Sequence, residues 1–270
     1  MNILTTAQKS NEAIQEEAKV LASSMHMTYI KRGKSSIPAL FREYQCEYIA
    51  VLSGSELTIH FPENKQHSFH LSMAQLRILR IERGEGDHLV NAVQTILDKK
   101  GILDGQQFTF LDSTIGLASD SIIVSYAFPN VEIQGLEGSF PIWLATSYGL
   151  AHYIHSEDSV TNALRRIQVQ HATYENYLPN LSDNSVDIIY FDPMFTRPVQ
   201  ESSNFTPLRD VVCHGPLTTD MIDLALCKAR KRVVIKGRDF SELSGKYDNL
   251  KVGGGRYSRI SYAVLECSRK

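Results

Sequence analysis

The sequence predicts an α/β fold: a doubly wound, Rossmann-like sheet preceded by a small N-terminal α/β domain. Three observations predict it. From Phe108 onward short apolar segments alternate with helical ones. The first strand-to-helix junction, FTFLDSTIGLASDS (108–121), is a small-residue turn containing a glycine. The strongly apolar VDIIYF (186–191) runs directly into Asp192-Pro193-Met194-Phe195.

The elements follow in order. Asn11–Ser24 carries Ala13, Ile14, Ala18, Leu21 and Ala22 at helical spacing behind a Ser10 or Asn11 cap. Met27–Ile30 is expected as a strand, Ile37–Tyr44 as a helix, and Tyr48–Leu52, Leu57–Phe61 and Ser68–Leu71 as strands, with a turn at Ser53-Gly-Ser. These segments form the first domain, residues 1–72. Residues 73–270 form the second. It opens with helices at Met73–Ile81 and His88–Leu97, parted by the Gly84–Gly86 break. The alternation then runs: strand Phe108–Leu111, helix Asp120–Phe128, strand Val131–Leu136, helix Pro141–Ala151, strands Ile167–His171 and Val186–Phe191, helix Thr218–Ala229, strand Arg232–Lys236. Leu250–Val252 and Tyr262–Leu265 close it as short strands. Strands alternating with helices over this length imply a mostly parallel sheet.

Composition bounds the function. The chain has 270 residues, 43% of them apolar, and its 28 basic and 30 acidic side chains leave a formal charge of −2. A generally basic nucleic-acid binder is excluded, though a local basic face is not. Cys46, Cys213, Cys227 and Cys267 are scattered without metal spacing, as in a reduced intracellular protein. The first residues lack the pattern of a secretory signal, and no apolar run approaches the ~20 residues of a membrane span. A cytoplasmic protein is expected.

In open α/β sheets ligands sit beyond the carboxyl ends of the strands, where the strand order reverses, so the first junction is where a ligand is sought. A dinucleotide fingerprint needs G-x-G-x-x-G for its pyrophosphate. This turn has only Gly116 and carries Asp112 and Asp120. Two carboxylates suit a cationic ammonium or sulfonium, which favours S-adenosylmethionine. The plainer reading is a strand–turn–helix joint with an Asp at the strand end. Glu137 closes the second strand of the alternation, at the interval from Gly116 where such folds hold ribose hydroxyls. In Asp192-Pro193, proline ends the ladder and turns acceptors toward the cleft, and Phe195 offers a ring face. Acceptors plus a stacking ring suit the exocyclic amine of a nucleobase. The plainer reading there is an edge turn after an apolar strand.

DSTIGLASDS, LEGS, HATY, YFDPMF and KRVVIK occur in the order and spacing of the RsmJ-type 16S rRNA guanine-N2 methyltransferases. The chain resembles that family, and more closely its YpiP-like relatives, from about Arg83 to Leu265. The resemblance implies a class I S-adenosylmethionine-dependent methyltransferase, with seven strands of which the last is antiparallel. It places Ser119 and Asp120 on the methionine side of the cofactor, Glu137 and Gly138 on the ribose, and Thr173 and Tyr174 near the adenine. Asp192 becomes the hinge between cofactor and substrate. The family turn usually reads Asp-Ala-Thr-Ala-Gly-Leu-Gly-Arg-Asp. Ala118 stands here for its second glycine and Ser119 for its arginine. In the expected mechanism Asp112 and Glu137 anchor the cofactor, Asp192 and the Pro193 carbonyl region accept from the amine, and Phe195 stacks the base.

Other signals read as structural. His67 and His70 fall on opposite faces of an expected strand, so no metal site is expected there. His171 reads as a strand-end histidine, and Lys236 as a solvated strand-end lysine that could alternatively meet substrate at the cleft mouth. Arg77, Arg80 and Arg83 read as a solvated helix face, and Gly253-Gly-Gly as a hairpin turn. Residues 227–270 hold twelve Lys or Arg against four Asp or Glu. That basic C-terminal stretch, with Lys228, Arg230, Lys231, Arg232, Lys236, Arg238, Arg256 and Arg259, is the expected contact for RNA, ribosomal RNA in the reading favoured by the resemblance. Two alternatives stay open: a methyltransferase acting on a small molecule or protein, and a non-catalytic nucleotide-binding protein of this fold.

Overall fold

The structure, a computed structural model, describes residues 2–94, 107–193, 216–254 and 260–267. The described chain forms two compact units.

The first unit comprises residues up to His70 together with Ser139–Ile154. Its five-stranded sheet runs β2(Thr28–Tyr29), β1(Ile3–Thr6), β3(Ile49–Ser53), β4(Glu56–His60), β5(Gln66–Ser68). β1 is parallel to both neighbours, and β3, β4 and β5 are antiparallel. Helix α1(Glu12–Ser24) is capped by Asn11, whose side chain accepts from the Ile14 amide at 2.9 Å. Helix α2(Ile37–Tyr44) is capped by Ser36 and carries Pro38 in its first turn. Helix α6(Phe140–His152) packs on β4 and β5. Its Gly149 makes room for Phe69, whose Cγ lies 2.0 Å from where a Cβ would stand. Tyr148 donates to Glu17 at 2.7 Å. This helix follows the second strand of the large sheet in sequence, yet falls in the first unit.

β1 was not expected from the sequence: a four-residue strand buried on both faces shows no alternation to read. β5 ends at Ser68, two residues before His70, so the opposite-faces argument does not reach the histidine pair. The His67 and His70 rings meet edge to face at 6.3 Å. Burial, and secondarily the charge of His70, pushes His67 down to about 4. Among the described residues no three His, Cys, Asp or Glu converge to hold a metal.

The second unit holds helices α3(Ser72–Glu82) and α4(His88–Gln94) and a seven-stranded sheet. Its strands are β6(Phe108–Asp112), β7(Val131–Glu137), β8(Ile167–His171), β9(Val186–Phe191), β10(Ala229–Gly237), β11(Lys251–Gly254) and β12(Ser261–Glu266). Their spatial order is β11-β12-β10-β9-β6-β7-β8. Strands β8, β7, β6, β9 and β10 are parallel, and β12 runs antiparallel to β10. The chain works outward from β6 in one direction and then returns to β9 on its other side, which puts the topological switch point between β6 and β9. The Rossmann-like architecture is the one expected.

Helix α5(Ser119–Ala127) follows β6, and α9(Thr219–Lys228) leads into β10. Three short helices were not anticipated: α7(Asp158–Arg165), α8(Tyr174–Tyr177) and α10(Ser241–Lys246). α8 spans four residues and α10 six, too short to carry a readable helical period. α7 is strongly amphipathic but only eight residues long. The end of the helix expected at His88–Leu97 lies outside the described residues. Among the described residues no helix is long and apolar enough to cross a membrane.

Candidate active site

The carboxyl ends of β6, β7, β8, β9 and β10 present Asp112, Glu137, His171, Asp192 and Lys236 in turn. Backbone bonds tie these ends together. The Ser113 amide donates to the Tyr190 carbonyl at 2.9 Å, Ile115 to Leu136 at 3.0 Å, and Ala172 to Glu137 at 3.1 Å. The Asp192 amide donates to Thr114 Oγ1 at 2.7 Å, which pins the chain leaving β9 to the turn leaving β6.

The β6–α5 turn is shaped by its own residues. Asp112 is buried; Oδ2 accepts from the Ser121 hydroxyl at 2.6 Å and Oδ1 from the Thr114 amide at 3.1 Å. Gly116 takes a φ of +50°, where a Cβ is costly. Gly135 on β7 lets Ile115 lie across the sheet, since a Cβ there would stand 2.2 Å from Ile115 Cδ1. Ala118 has a φ of 60° as well, in the left-handed region that side chains disfavour. This is the position where the resembling family carries glycine. Ala118→Gly is therefore expected to raise stability by about 0.5–1 kcal/mol, relief of strain outweighing the freer unfolded chain. A lower urea midpoint for the variant would contradict that.

Burial pushes Asp112 up to about 7, reinforced by the charges of Asp120 and Asp192, against the opposing bonds from Ser121 and Thr114. The folded chain keeps this proton up to about pH 7, whereas an unfolded Asp releases it near 3.8. The folded state thus binds more protons, and Asp112 costs stability progressively as pH rises from about 4 to 7. Asp112→Asn removes that cost, so calorimetric Tm should rise by several degrees at pH 8 and little at pH 4, reflecting about 2–4 kcal/mol. Equal shifts at both pH values would refute the buried titration.

The alternation of β9 puts Ile188, Tyr190 and Asp192 on one face, the face from which Tyr190 reaches Asp120 of α5. The β10 register extends this: Ile235 pairs with Phe191, so Lys236 stands level with Asp192 and, across β10, opposite Tyr262. Lys236 Nζ donates to Asp192 Oδ2 at 2.8 Å and to Asp120 Oδ2 at 2.8 Å. Asp120 Oδ2 also accepts from Tyr190 at 2.7 Å, and its Oδ1 accepts from Arg77 Nη1. Arg77 in turn forks onto Asp87 through Nε at 2.8 Å and Nη2 at 2.9 Å. Asp87 caps α4 by accepting from the Leu89 and Val90 amides.

Two sequence expectations are corrected here. Lys236 is not a solvated strand-end lysine: its side chain is 17% exposed and bridges two carboxylates. Arg77 is not part of a solvated face; it is 18% exposed and joins Asp87 to Asp120, while Arg80 pairs with Glu85 outside. Burial opposes the Asp120 charge, but Lys236 and Arg77 hold its carboxyl well below the usual range. Burial likewise opposes the Lys236 charge, and Asp120 and Asp192 hold the ammonium above its usual value. For Asp192 burial outweighs Lys236, and its pKa is raised.

The remaining expected residues fall as follows. Ser119 and Asp120 open α5; Glu137 is buried at the end of β7, with Gly138 after it. His171 Nε2 lies 3.0 Å from the Gly138 carbonyl. Thr173 is the cap position of α8, and Tyr174 is buried with its ring edge to face against Phe191. Pro193 follows Asp192; Phe195 lies outside the described residues. The structure therefore brings Asp112, Gly116, Ser119, Asp120, Asp192 and Pro193 to the switch point, with Glu137, Gly138 and Thr173 along the neighbouring strand ends.

Among the described residues the basic C-terminal stretch is mostly consumed by pairing. Lys228 pairs with Asp183, and Arg230 and Lys231 with Asp187, at the amino end of β10 and away from the switch point. Arg232 is buried against Glu266. Of the residues expected to flank the cleft, Lys236 does so; Arg256 and Arg259 lie outside the described residues.

The donor set suits an adenosyl sulfonium. Asp112, Asp120 and Asp192 line the switch point, the buried Ser113 hydroxyl has no hydrogen-bond partner among the described residues, and an acidic strand end stands at β7. The profile of the "Putative SAM-dependent methyltransferase" family matches residues 45–253. The uncharacterized protein YpiP of Bacillus subtilis (strain 168) is 31% identical over 235 residues, covering 87% of this chain and 88% of its own length. A protein of Vibrio campbellii, ribosomal RNA small subunit methyltransferase J, is 25% identical over 159 residues, covering 55% of this chain and 61% of that relative. The solved SAM-dependent methyltransferase NGO1261 of Neisseria gonorrhoeae superposes with a TM-score of 0.63 at 16% identity, over 99% of this chain and 96% of its own, and shares the fold. With the profile spanning most of the chain and YpiP related along nearly all of it, this protein belongs to the family of S-adenosylmethionine-dependent methyltransferases.

Proposed function

We propose that the chain methylates an exocyclic base nitrogen in RNA, N2 of guanine in ribosomal RNA, in the cytoplasm. The observation that carries this reading is the Asp192-Pro193 step at the end of β9, pinned beside the switch point by Thr114 and Lys236. Bound S-adenosylmethionine supplies a methyl group on a sulfonium, open to direct displacement by an amine. Glu137 and Gly138 hold the ribose, Thr173 and Tyr174 lie along the adenine, and Ser119 serves the methionine end. Asp112 shapes the turn through its bonds to Ser121 and Thr114. Asp192 and the Pro193 carbonyl accept the amine hydrogens, orienting the nitrogen lone pair toward the incoming carbon. The cofactor, when bound, would supply the methyl group and leave as S-adenosylhomocysteine, and the proton given up by the nitrogen would pass to solvent through the Asp192 carboxylate that accepts its hydrogen bond. Phe195, two residues after Pro193 in the sequence and outside the described residues, is our candidate for stacking on the base.

The ribosomal RNA substrate is supported by the name of the Vibrio relative. Pairing of most of the basic stretch favours a second reading, in which the acceptor is a small molecule or protein. Salt separates the two. Tritiated-methyl transfer to fractionated RNA should fall steeply between 50 and 200 mM salt through counterion release, by roughly tenfold or more. Transfer that is indifferent to salt, or that labels only non-RNA fractions, would favour the second.

A further inference from the structure

We propose that Lys236 and Asp120 are positioning residues for Asp192: Lys236 fixes the acceptor carboxylate, and Asp120 is its counter-ion and not a contact of the cofactor. The assignment deepens the reading of Asp192 as acceptor for the substrate amine and rests on it.

The geometry carries the argument. Lys236 Nζ sits 2.8 Å from one oxygen of each carboxylate, so a single ammonium couples the two. Asp120 accepts from Arg77 on one oxygen and from Tyr190 and Lys236 on the other, which leaves it little capacity for a ligand. Asp192 differs. Its side chain is 31% exposed, and Lys236 engages Oδ2, so Oδ1 can accept from an amine. A half-exposed carboxylate has two free torsions. The bridge at Oδ2 and the bond from its own amide to Thr114 remove most of that freedom before substrate arrives. The bridge is itself anchored, because Arg77 ties Asp120 to the capping residue of α4.

The bridge also favours the ionised form of Asp192 against its burial. The groups facing it are Lys236 from β10, Asp120 from α5, Arg77 from α3, Asp112 from β6 and Tyr190 from β9, while Tyr262 from β12 faces Lys236 and Asp120. Lys236 is the largest influence favouring the charged form, and burial the largest opposing it. Without Lys236 the carboxyl takes up a proton at higher pH and stops accepting.

The test uses the full chain with Lys236→Met and Lys236→Arg. Lys236→Met should bind S-adenosylhomocysteine within about threefold of wild type by calorimetry. Its kcat should drop about 100-fold with little change in KM, and the acid limb of its pH profile should move up by about one unit. Lys236→Arg should recover at least about tenfold of that loss. A kcat within about threefold of wild type, an unshifted acid limb, or a parallel loss of S-adenosylhomocysteine affinity would overturn the proposal. A ¹³C carboxyl titration of Asp192, assigned with Asp192→Asn, needs no substrate and separates the two readings. If wild type methylates no RNA, the RNA reading fails, and a raised Asp192 titration in Lys236→Met still supports the bridge while an unchanged one removes it. Should Lys236→Met lose its cooperative unfolding transition, Lys236→Gln, which also removes the charge but keeps a donor, takes its place, with an upward move of the Asp192 titration and of the acid limb supporting the bridge and no move removing it.

Discussion

Asp192→Ala is expected to abolish methyl transfer, lowering kcat at least about 10³-fold, while S-adenosylhomocysteine affinity stays within about threefold. The separation follows from where Asp192 sits. It lies past the end of β9, tied through its amide to Thr114 and through its carboxylate to Lys236. In the proposed reading the ribose and adenine positions belong to Glu137, Gly138, Thr173 and Tyr174, at and after the ends of β7 and β8. Losing the carboxylate removes an acceptor for the amine and leaves those strand ends untouched. Lys236 keeps Asp120 as a partner, so the variant should fold. Full activity would remove Asp192 from the chemistry. A loss of activity accompanied by equal loss of cofactor affinity would reassign it to cofactor binding.

Arg77→Leu should cost about 3–5 kcal/mol of stability in urea denaturation, among the larger effects of any single side chain in the second unit. Arg77 satisfies two carboxylates at once, and both lie on elements that must meet: Asp87 ahead of α4 and Asp120 in α5. Burial opposes the charge on Arg77, yet Asp87 and Asp120 hold its guanidinium firmly protonated. Removing it leaves Asp120 with Lys236 and Tyr190 but strands the bidentate face of Asp87. Arg77→Lys keeps the charge but not the fork, and should recover part of the loss. A cost under about 1 kcal/mol would mean the pair is worth no more than an exposed ion pair.

The strands of the large sheet were legible because their apolar runs are bounded by turn residues. Ile167–His171 and Val186–Phe191 occur with the bounds the sequence predicts. The strand-end residues of the site were legible for a related reason. A turn such as Asp112–Asp120 or a break such as Asp192-Pro193 is local chemistry, written in consecutive residues. The network behind it was not. Arg77, Asp120 and Lys236 are far apart in sequence, and the two cations by residue type read as solvated. Only the pairing of β9 with β10 sets Lys236 level with Asp192, and only the placement of α3 brings Arg77 to Asp120. One signal was available: in RVVIK the lysine continues the period of two, on the same face as Val234, so it need not turn to solvent. Net charge misled in the opposite direction. The excess of basic residues after Cys227 is real, but folding spends much of it on Asp183, Asp187 and Glu266.

The most direct test of the account is nucleoside mass spectrometry of RNA incubated with the purified chain and methyl-labelled S-adenosylmethionine. The account predicts label in N2-methylguanosine from the ribosomal RNA fraction, present with wild type and absent with Asp192→Ala. Label confined to another nucleoside, or to a protein or small-molecule fraction, would contradict it.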